Sequence, residues 1–126
     1  MASIIVTLPT GEEQYYQLGK RTIVVGRAEQ YPVQVKDELV SQRHLQIRFD
    51  PKQQAYSALD MQSKNGTKVK SRRIEGAVLL EDGDVIEIGQ SRIAFYAQEF
   101  TDKADAFRHH KVAGYRGQHT ETWKAS

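Results

Sequence analysis

Over its first hundred positions this chain consists of short runs of β-favouring residues separated by turn residues. In the run 44–49, Leu45, Ile47 and Phe49 alternate with polar residues, which is the period of a strand with one buried face. Asn-Gly, Asp-Gly and Pro-containing turns follow the runs, and Gly89-Gln90 has the composition of a two-residue type II′ hairpin turn. About ten such runs with almost no helical periodicity predict an all-β sandwich or barrel.

Composition and charge exclude several classes of function. The 126-residue chain has no cysteine, so disulfide scaffolds, thiolate metal sites and cysteine nucleophiles are excluded. Residues 1–100 carry 13 basic and 13 acidic side chains, which is not the balance of a nucleic-acid-binding domain. Residues 1–6 lack a signal-peptide pattern, and no apolar run approaches the ~18 residues of a membrane span. We therefore expect a soluble, cytoplasmic, monomeric protein that contacts neither membrane nor nucleic acid.

The composition of the chain changes after Phe100. Residues 101–126 hold few aliphatic side chains, no strand alternation and a scatter of histidine, glycine and charge. We therefore predict one domain over residues 1–100, followed by a polar C-terminal tail over residues 101–126. The tail is expected to be flexible or to form a short helix near residues 102–112, where Ala104 and Phe107 fall at helical spacing.

Three clusters of polar residues lie at the ends of predicted strands. Gly26-Arg27 ends one apolar strand, residues 40–44 lead into a second, and residues 63–67 lead into a third. Loops at the end of a β-sandwich are where such folds gather their binding residues. The clusters supply a guanidinium, a hydroxyl, an ammonium and an amide, which together suit a phosphate group attached to a peptide.

In this order and spacing, the clusters resemble the forkhead-associated (FHA) domain family. The family's strand-end Gly-Arg matches Gly26-Arg27, its Ser-x-x-His matches residues 41–44, and its Asn-Gly matches Asn65-Gly66. The family's later Leu-x-Asp-Gly-Asp-x-Ile-x-Ile-Gly stretch matches residues 80–89, and the resemblance covers roughly residues 4–100. It implies a small stand-alone FHA protein, with a sandwich of about eleven strands whose loops at one end bind phosphothreonine peptides.

The resemblance also implies a role for each matching residue. Arg27 would clamp the phosphate, Ser41 would donate its hydroxyl to the same phosphate, and Lys64 would add a cation or a backbone contact. Asn65 would hydrogen-bond the peptide main chain, while the amide of Gln42 would contact phosphate or a peptide carbonyl without adding charge. Three residues would support the site: Gly26, His44 and Gly66.

Two positions carry further expectations. Asn65-Gly66 has an equal structural interpretation as a type I′ hairpin pair, which would leave the Asn65 amide pointing outward. Some FHA domains use a basic residue two before the motif serine to select an acidic peptide residue three after the phosphothreonine. This chain has Leu39 there, which favours an apolar preference.

The sequence gives less support to three other functions. No Ser-His-Asp set, carboxylate pair or phosphate loop indicates an enzyme, and the tail histidines lack metal-ligand spacing, so no cofactor or metal is expected. A basic stretch is interpreted as a solvated strand edge and not a nucleic-acid surface: Lys68, Lys70, Arg72 and Arg73. A phospho-independent scaffold that uses a lateral face of the sandwich stays open as an alternative.

The predicted function is therefore a phosphothreonine-peptide adaptor downstream of Ser/Thr protein kinases, with threonine-phosphorylated proteins or kinases as partners. Thr120 and Thr122 in the tail are candidate phosphorylation sites. The tail is long enough for either phosphothreonine to reach the loops and bind the same molecule, whereas Thr101 is tethered too close to the end of the sandwich that lies opposite the loops.

Overall fold

A computed structural model describes residues 2–113 of the chain. This part contains eleven strands and one helix, α1, over residues 103–113. The strands are β1 (Ser3–Thr7), β2 (Glu13–Gln17), β3 (Ile23–Gly26), β4 (Val33–Gln34), β5 (Leu45–Asp50), β6 (Ala55–Asp60), β7 (Thr67–Val69), β8 (Arg72–Arg73), β9 (Ala77–Leu79), β10 (Val85–Ile88) and β11 (Ser91–Tyr96).

The strands form two sheets, which confirms the predicted all-β sandwich of about eleven strands. One sheet has six strands in the order β2-β1-β11-β10-β7-β8, and the other has five in the order β4-β3-β5-β6-β9. Neighbours pair antiparallel except β3 and β4, which are parallel. The first strand of the chain lies between β2 and β11, with Ser3 opposite Tyr96.

The main core lies between the sheets and follows the period-two pattern of the sequence. Leu45 and Ile47 of β5 point into it and are fully buried, as are Ile93 and Phe95 of β11. Tyr56 joins the two sheets, with its ring 5.6 Å from that of Phe95. Because a strand's alternate residues face opposite sides, the remaining residues of these strands face outward.

The turns agree with the sequence at one position and disagree at another. Gly89 has φ +56° and lies in a two-residue turn between the paired residues Ile88 and Ser91, as the predicted type II′ turn requires. The type I′ interpretation of Asn65-Gly66 is wrong. Gly66 has φ +82°, but Asn65 is not in the left-handed region, and the flanking strands β6 and β7 belong to different sheets.

Helix α1 packs on the outer face of the six-stranded sheet. Ala106 is fully buried against Ile5, Ala94 and Tyr96, and Phe107 packs at the edge of this second cluster. The Asp102 carboxylate caps the helix by accepting the Asp105 N–H at 2.8 Å. Part of the tail is therefore a docked helix, whereas Thr120 and Thr122 lie outside the described residues.

A pair of polar contacts fixes the same helix to the sheet. The His110 ring lies 2.7 Å from the Tyr96 hydroxyl through Nδ1 and 2.9 Å from the Glu13 carboxylate through Nε2. Burial, with the charges of Asp82 and Glu13, raises the pKa of Tyr96 to about 12, so its hydroxyl stays protonated at neutral pH.

In the part of the chain that the structure describes, no helix combines the length and apolarity needed to cross a membrane.

Candidate functional site

The three polar clusters of the sequence meet at one end of the sandwich. Backbone hydrogen bonds join the first two: the Arg27 N–H donates to the Ser41 carbonyl at 3.0 Å, and the Ala28 N–H donates to the Gln42 carbonyl at 3.2 Å. The His44 N–H donates to the Val25 carbonyl at 2.9 Å, which continues the pairing of β3 with β5 into the loops. The loops are therefore extensions of sheet pairing and have a defined geometry.

Gly26 allows this close approach. A Cβ on Gly26 would lie 2.1 Å from the Gln42 carbonyl oxygen and 2.8 Å from its carbon. The φ of Gly26 is not positive, so the need for glycine here is one of space alone. The loop carrying residues 41–43 can lie against β3 only because this position has no side chain.

His44 is fully buried and joins the second loop to the third. The Ser41 N–H donates to Nδ1 at 3.0 Å, and Nε2 lies 2.8 Å from the Gly66 carbonyl oxygen. Because Nδ1 accepts, the proton of the neutral ring is on Nε2, which donates to Gly66. This one ring therefore sets the separation of the two loops.

Asp60, at the end of β6, organises the third loop from within. Its carboxylate accepts hydrogen bonds from the Ser63 hydroxyl at 2.5 Å, the Ser63 N–H at 3.0 Å and the Thr67 hydroxyl at 2.7 Å. The Ser63 hydroxyl in turn accepts the Gly66 N–H at 2.9 Å. These bonds fold residues 60–67 into a compact turn with Lys64 and Asn65 at its exposed tip.

Asp37 does the same for the loop between β4 and β5. Its carboxylate is buried and accepts the Leu39 N–H at 2.9 Å, the Gln90 N–H at 2.7 Å and the Ser91 hydroxyl at 2.7 Å. A Cβ on Gly89 would lie 2.8 Å from this carboxylate. The recognition end of the five-stranded sheet is thereby tied to the β10–β11 hairpin of the other sheet.

The pKa values of Asp37 and Asp60 predict how the stability of the protein changes in acid. Burial alone would raise their pKa values, but the hydrogen bonds from Ser91, Leu39 and Gln90 to Asp37, and from Ser63 and Thr67 to Asp60, lower both pKa values below the ordinary 3.8. A lowered folded-state pKa contributes stability above the unfolded value and loses it as the pH falls towards the folded value. The free energy of unfolding should therefore be nearly constant from pH 7 to about pH 5 and fall below about pH 4.

Urea unfolding of wild type and Asp60→Asn across this pH range tests this expectation. The variant should be less stable at neutral pH and should lose less stability on acidification. Asp50→Asn is the matched control, because Asp50 lies in an exposed hairpin and accepts one backbone N–H, from Lys52 at 2.9 Å. An acid limb that is equally steep in all three proteins would contradict the assignment.

The Ser41 hydroxyl faces the tip of the third loop. Its oxygen accepts the Lys64 N–H at 3.0 Å, which leaves the hydroxyl proton free to rotate towards a ligand. Lys64 contacts Ser41 through its backbone, and its ammonium group is exposed and makes no ion pair with another described residue. A hydroxyl donor and a residue with an exposed cationic side chain are thus joined at the surface.

Arg27 lies at the end of β3 and is bonded to the loop that carries Ser41. Its Nε donates to the Val40 carbonyl at 3.0 Å, which fixes the plane of the guanidinium. Among residues 2–113 its terminal Nη groups have no hydrogen-bond partner, and the side chain is exposed. A guanidinium held by Nε with both Nη groups free is oriented for two parallel hydrogen bonds to an oxyanion.

Asn65 contacts the second loop, and the sequence did not indicate this. Its Nδ2 donates to the Leu39 carbonyl at 2.9 Å, so Oδ1 and one Nδ2 hydrogen are left for a ligand. Leu39 is held by Asn65 at its carbonyl and by Asp37 at its N–H, and its side chain is 46% exposed. An exposed leucine with a fixed backbone next to the amide forms an apolar surface beside the site.

The structure therefore brings Arg27, Ser41, Lys64 and Asn65 to one surface, with Gly26, His44 and Gly66 beneath them. Gln42 is exposed beside them and makes its hydrogen bond through its carbonyl. Sequence reasoning missed four residues that hold the loops: Asp37, Asp60, Ser63 and Thr67. The sequence signal for one pair was the Asp-x-x-Ser spacing directly after an alternating strand, which is typical of a side-chain-capped turn.

A family model for the FHA domain matches residues 23–89. The chain is 36% identical over 91 residues to the FHA domain-containing protein FhaA of Mycobacterium tuberculosis, covering 72% of this chain and 17% of that protein. It is 34% identical over 80 residues to an oxoglutarate dehydrogenase inhibitor of Corynebacterium jeikeium, covering 64% of this chain and 54% of the inhibitor. It therefore spans about half or less of the length of these two relatives.

Solved structures give the same result. A structure described as "Structural and functional analysis of phosphothreonine-dependent FHA domain interactions" superposes with a TM-score of 0.67 at 34% identity, covering 78% of this chain and 99% of the other. The FhaA FHA domain complexed with the intracellular domain of Rv3910 superposes with a TM-score of 0.66 at 33% identity, covering 75% and 99%. The fold, the four sequence motifs and these similarities agree that the chain belongs to the FHA domain family.

Proposed function

We propose that this protein is a phosphothreonine-peptide binding module that acts as a signalling adaptor downstream of Ser/Thr protein kinases. The observation that carries the proposal is the donor set at the loop end of the sandwich. Arg27 is held through Nε and keeps two free Nη groups, Lys64 is held through its backbone N–H and keeps an exposed ammonium, and the Ser41 hydroxyl, which accepts that N–H, keeps a rotatable proton. Such a set matches a phosphate dianion, which accepts several charge-assisted hydrogen bonds at once.

The carboxylates of the loops support an anionic ligand. Asp37 and Asp60 are turned inward, and each accepts three hydrogen bonds from the protein. Their negative charges are therefore satisfied by hydrogen bonds within the loops, while the cationic side chains of Arg27 and Lys64 are exposed at the surface. Asn65 adds an amide that can accept a peptide N–H and donate to a peptide carbonyl, so the ligand is a phosphorylated peptide and not free phosphate alone.

The proposal is tested by binding of the purified protein to one peptide sequence in three forms. The phosphothreonine form should bind most tightly, the phosphoserine form less well, and the unphosphorylated form not measurably, by fluorescence anisotropy or calorimetry. Equal binding of all three forms would instead support the alternative, a phospho-independent scaffold that uses a lateral sheet face.

Two substitutions separate phosphate binding from peptide binding. Asn65→Ala should weaken the phosphothreonine peptide by about tenfold, because one or two hydrogen bonds to the peptide main chain are lost, and should leave the affinity for inorganic phosphate nearly unchanged. Ser41→Ala should weaken both ligands, because it removes a phosphate donor and the acceptor of the Lys64 N–H. Calorimetric titration of each variant with each ligand measures the four affinities.

An equal loss of both ligands in Asn65→Ala would mean that the Asn65–Leu39 hydrogen bond acts mainly on loop geometry. Gln53→Ala is the reference here, because Gln53 is exposed in the β5–β6 hairpin, at the end of β5 away from the loops, and this variant should bind both ligands as wild type does.

The rest of the adaptor proposal is supported by the family and by the composition of the chain. No three His, Asp or Glu side chains among residues 2–113 come together as metal ligands, and His109 is instead stacked against Tyr96 and Phe100. FHA domains are binding modules, and a non-enzymatic, monomeric, cytoplasmic role with no nucleic-acid ligand fits the cysteine-free composition and balanced charge. Threonine-phosphorylated proteins, kinases among them, are the proposed partners, and Thr120 or Thr122 stays a proposed source of an internal ligand.

A further inference from the structure

The basic stretch that follows the third loop takes no part in the site as described so far. Its basic residues differ in whether they form ion pairs. The Lys70 ammonium forms ion pairs with the carboxylates of Glu81 at 2.9 Å and Asp84 at 3.7 Å, so its charge is already paired within the protein. Arg73 is exposed and makes no hydrogen bond or ion pair with any other residue in 2–113. The charge of Arg73 therefore has no partner within the described protein.

Arg73 lies directly against the recognition loop. It is opposite Lys68 in the β7–β8 pair, and the next residue, Ile74, donates its N–H to the Thr67 carbonyl at 2.9 Å. The Arg73 guanidinium occupies the space where a side chain on Gly66 would be: a Cβ there would lie 2.8 Å from Nε, 2.9 Å from Cζ and 3.1 Å from Nη2. The missing side chain of Gly66 thus brings a cation next to Asn65.

The surroundings of Arg73 continue the binding surface beyond the loop. Arg73 lines a surface pocket together with the apolar residues Val69, Ile74 and Val78. The polar residues Lys70, Arg72 and Glu75 also line this pocket. A peptide held at Asn65 by its main chain can therefore place a neighbouring side chain beside Arg73 without leaving the protein surface.

We infer that Arg73 is a specificity-determining residue, which selects an acidic side chain flanking the phosphothreonine of the bound peptide. This inference rests on the proposed phosphopeptide function. A planar guanidinium held against a glycine backbone keeps its outer N–H groups available and matches a carboxylate in a bidentate manner. It also gives this chain a route to acidic selectivity other than position 39, which is leucine here.

A positional scan tests the inference. A phosphothreonine peptide with neutral flanks is compared with a set in which a single glutamate replaces one flanking residue at a time, on both sides. For the wild-type protein at low salt, glutamate at one position should increase affinity about threefold to fivefold, and the gain should shrink at high salt because the pair is exposed. Arg73→Gln should abolish this gain and leave the affinity for the neutral peptide nearly unchanged.

Two further variants make the result specific. Lys52→Gln also removes one positive charge, but in the β5–β6 hairpin, at the end of the sandwich away from the binding loops. This variant should keep the full increase in affinity that glutamate gives. Arg73→Lys keeps the charge without the planar fork and should retain only part of it. Thermal unfolding should be similar for all variants, since both positions are exposed.

Each other outcome counts against the inference. If no glutamate position increases affinity, or if the gain survives Arg73→Gln, Arg73 does not select an acidic residue. If Arg73→Gln weakens the neutral peptide as much as the acidic ones, Arg73 contacts the phosphate or the main chain instead. If no phosphothreonine peptide binds at all, the proposed function itself is wrong, and the role of Arg73 falls with it.

Discussion

Arg27→Ala is expected to weaken phosphothreonine-peptide binding by about a hundredfold or more, the largest effect on binding of any single substitution considered. The two free Nη groups can each make a charge-assisted hydrogen bond to the phosphate, and such bonds contribute roughly 1.5–3 kcal/mol each. The variant should remain folded, because the exposed Arg27 side chain makes one internal hydrogen bond, to the Val40 carbonyl. Calorimetry gives the affinity, and circular dichroism and thermal unfolding check the fold.

Arg48→Ala is the control for this prediction. Arg48 is an exposed arginine on the outward face of β5, opposite Ser57, so its removal changes net charge equally without touching the loops. It should bind peptide as wild type does. Arg27→Lys should recover little affinity, because lysine lacks both the Nε donor to Val40 and the two-pronged geometry. Wild-type binding by Arg27→Ala would place the phosphate elsewhere.

Gly26→Ala is expected to have the largest effect on stability, about 3 kcal/mol or more of unfolding free energy. The added methyl would lie 2.1 Å from the Gln42 carbonyl oxygen, and this neighbour is backbone, which cannot rotate away as a side chain can. The loops must separate, which breaks the hydrogen bonds from Arg27 and Ala28 to the second loop. Urea unfolding measures the loss, and any folded fraction should bind phosphopeptide poorly.

Gly76→Ala separates this steric clash from ordinary glycine effects. Gly76 has φ +71° with open space around its Cβ position, so alanine there is strained only by its backbone conformation. That strain costs about 1–2 kcal/mol, less than the clash at Gly26. Similar losses for both variants would mean that the 41–43 loop moves aside easily and that the close approach at Gly26 is not required.

Much of the site could be predicted from the sequence because its residues occur in short motifs. The alternation of Leu45, Ile47 and Phe49 indicated a half-buried strand, and β5 lies there. The family resemblance then indicated which loop residues to examine, and Arg27, Ser41 and Asn65 do lie at one end of the sandwich. The spacing of residues within a short motif is enough to predict a site whose residues lie at the ends of strands.

Two of the misses depend on partners far away in the chain, whereas the bonds of Asp60 to Ser63 and Thr67 are local. Asp37 is held by donors at Gln90 and Ser91, and nothing near residue 37 indicates them. The flanking β-favouring runs predict a hairpin at Asn65-Gly66, but the strands on either side, β6 and β7, belong to different sheets. The type I′ geometry occurs instead at Lys70-Ser71, with φ of 54° and 65°, where composition gave no signal.

The position of β1 between β2 and β11 also determines when this protein can fold. Ser3 pairs with Tyr96, so the six-stranded sheet cannot close until nearly all of the sandwich has left the ribosome. Contacts between such distant residues raise the contact order of a chain and slow its folding, because a large loop must close before the contact is gained. Until then, Ile4, Ile5 and Val6 form an apolar segment with one partner strand, β2, and an open edge. Synthesis that stops before β11 therefore leaves an aggregation-prone edge, and the last strand and its helix convert the nascent chain into a protected domain.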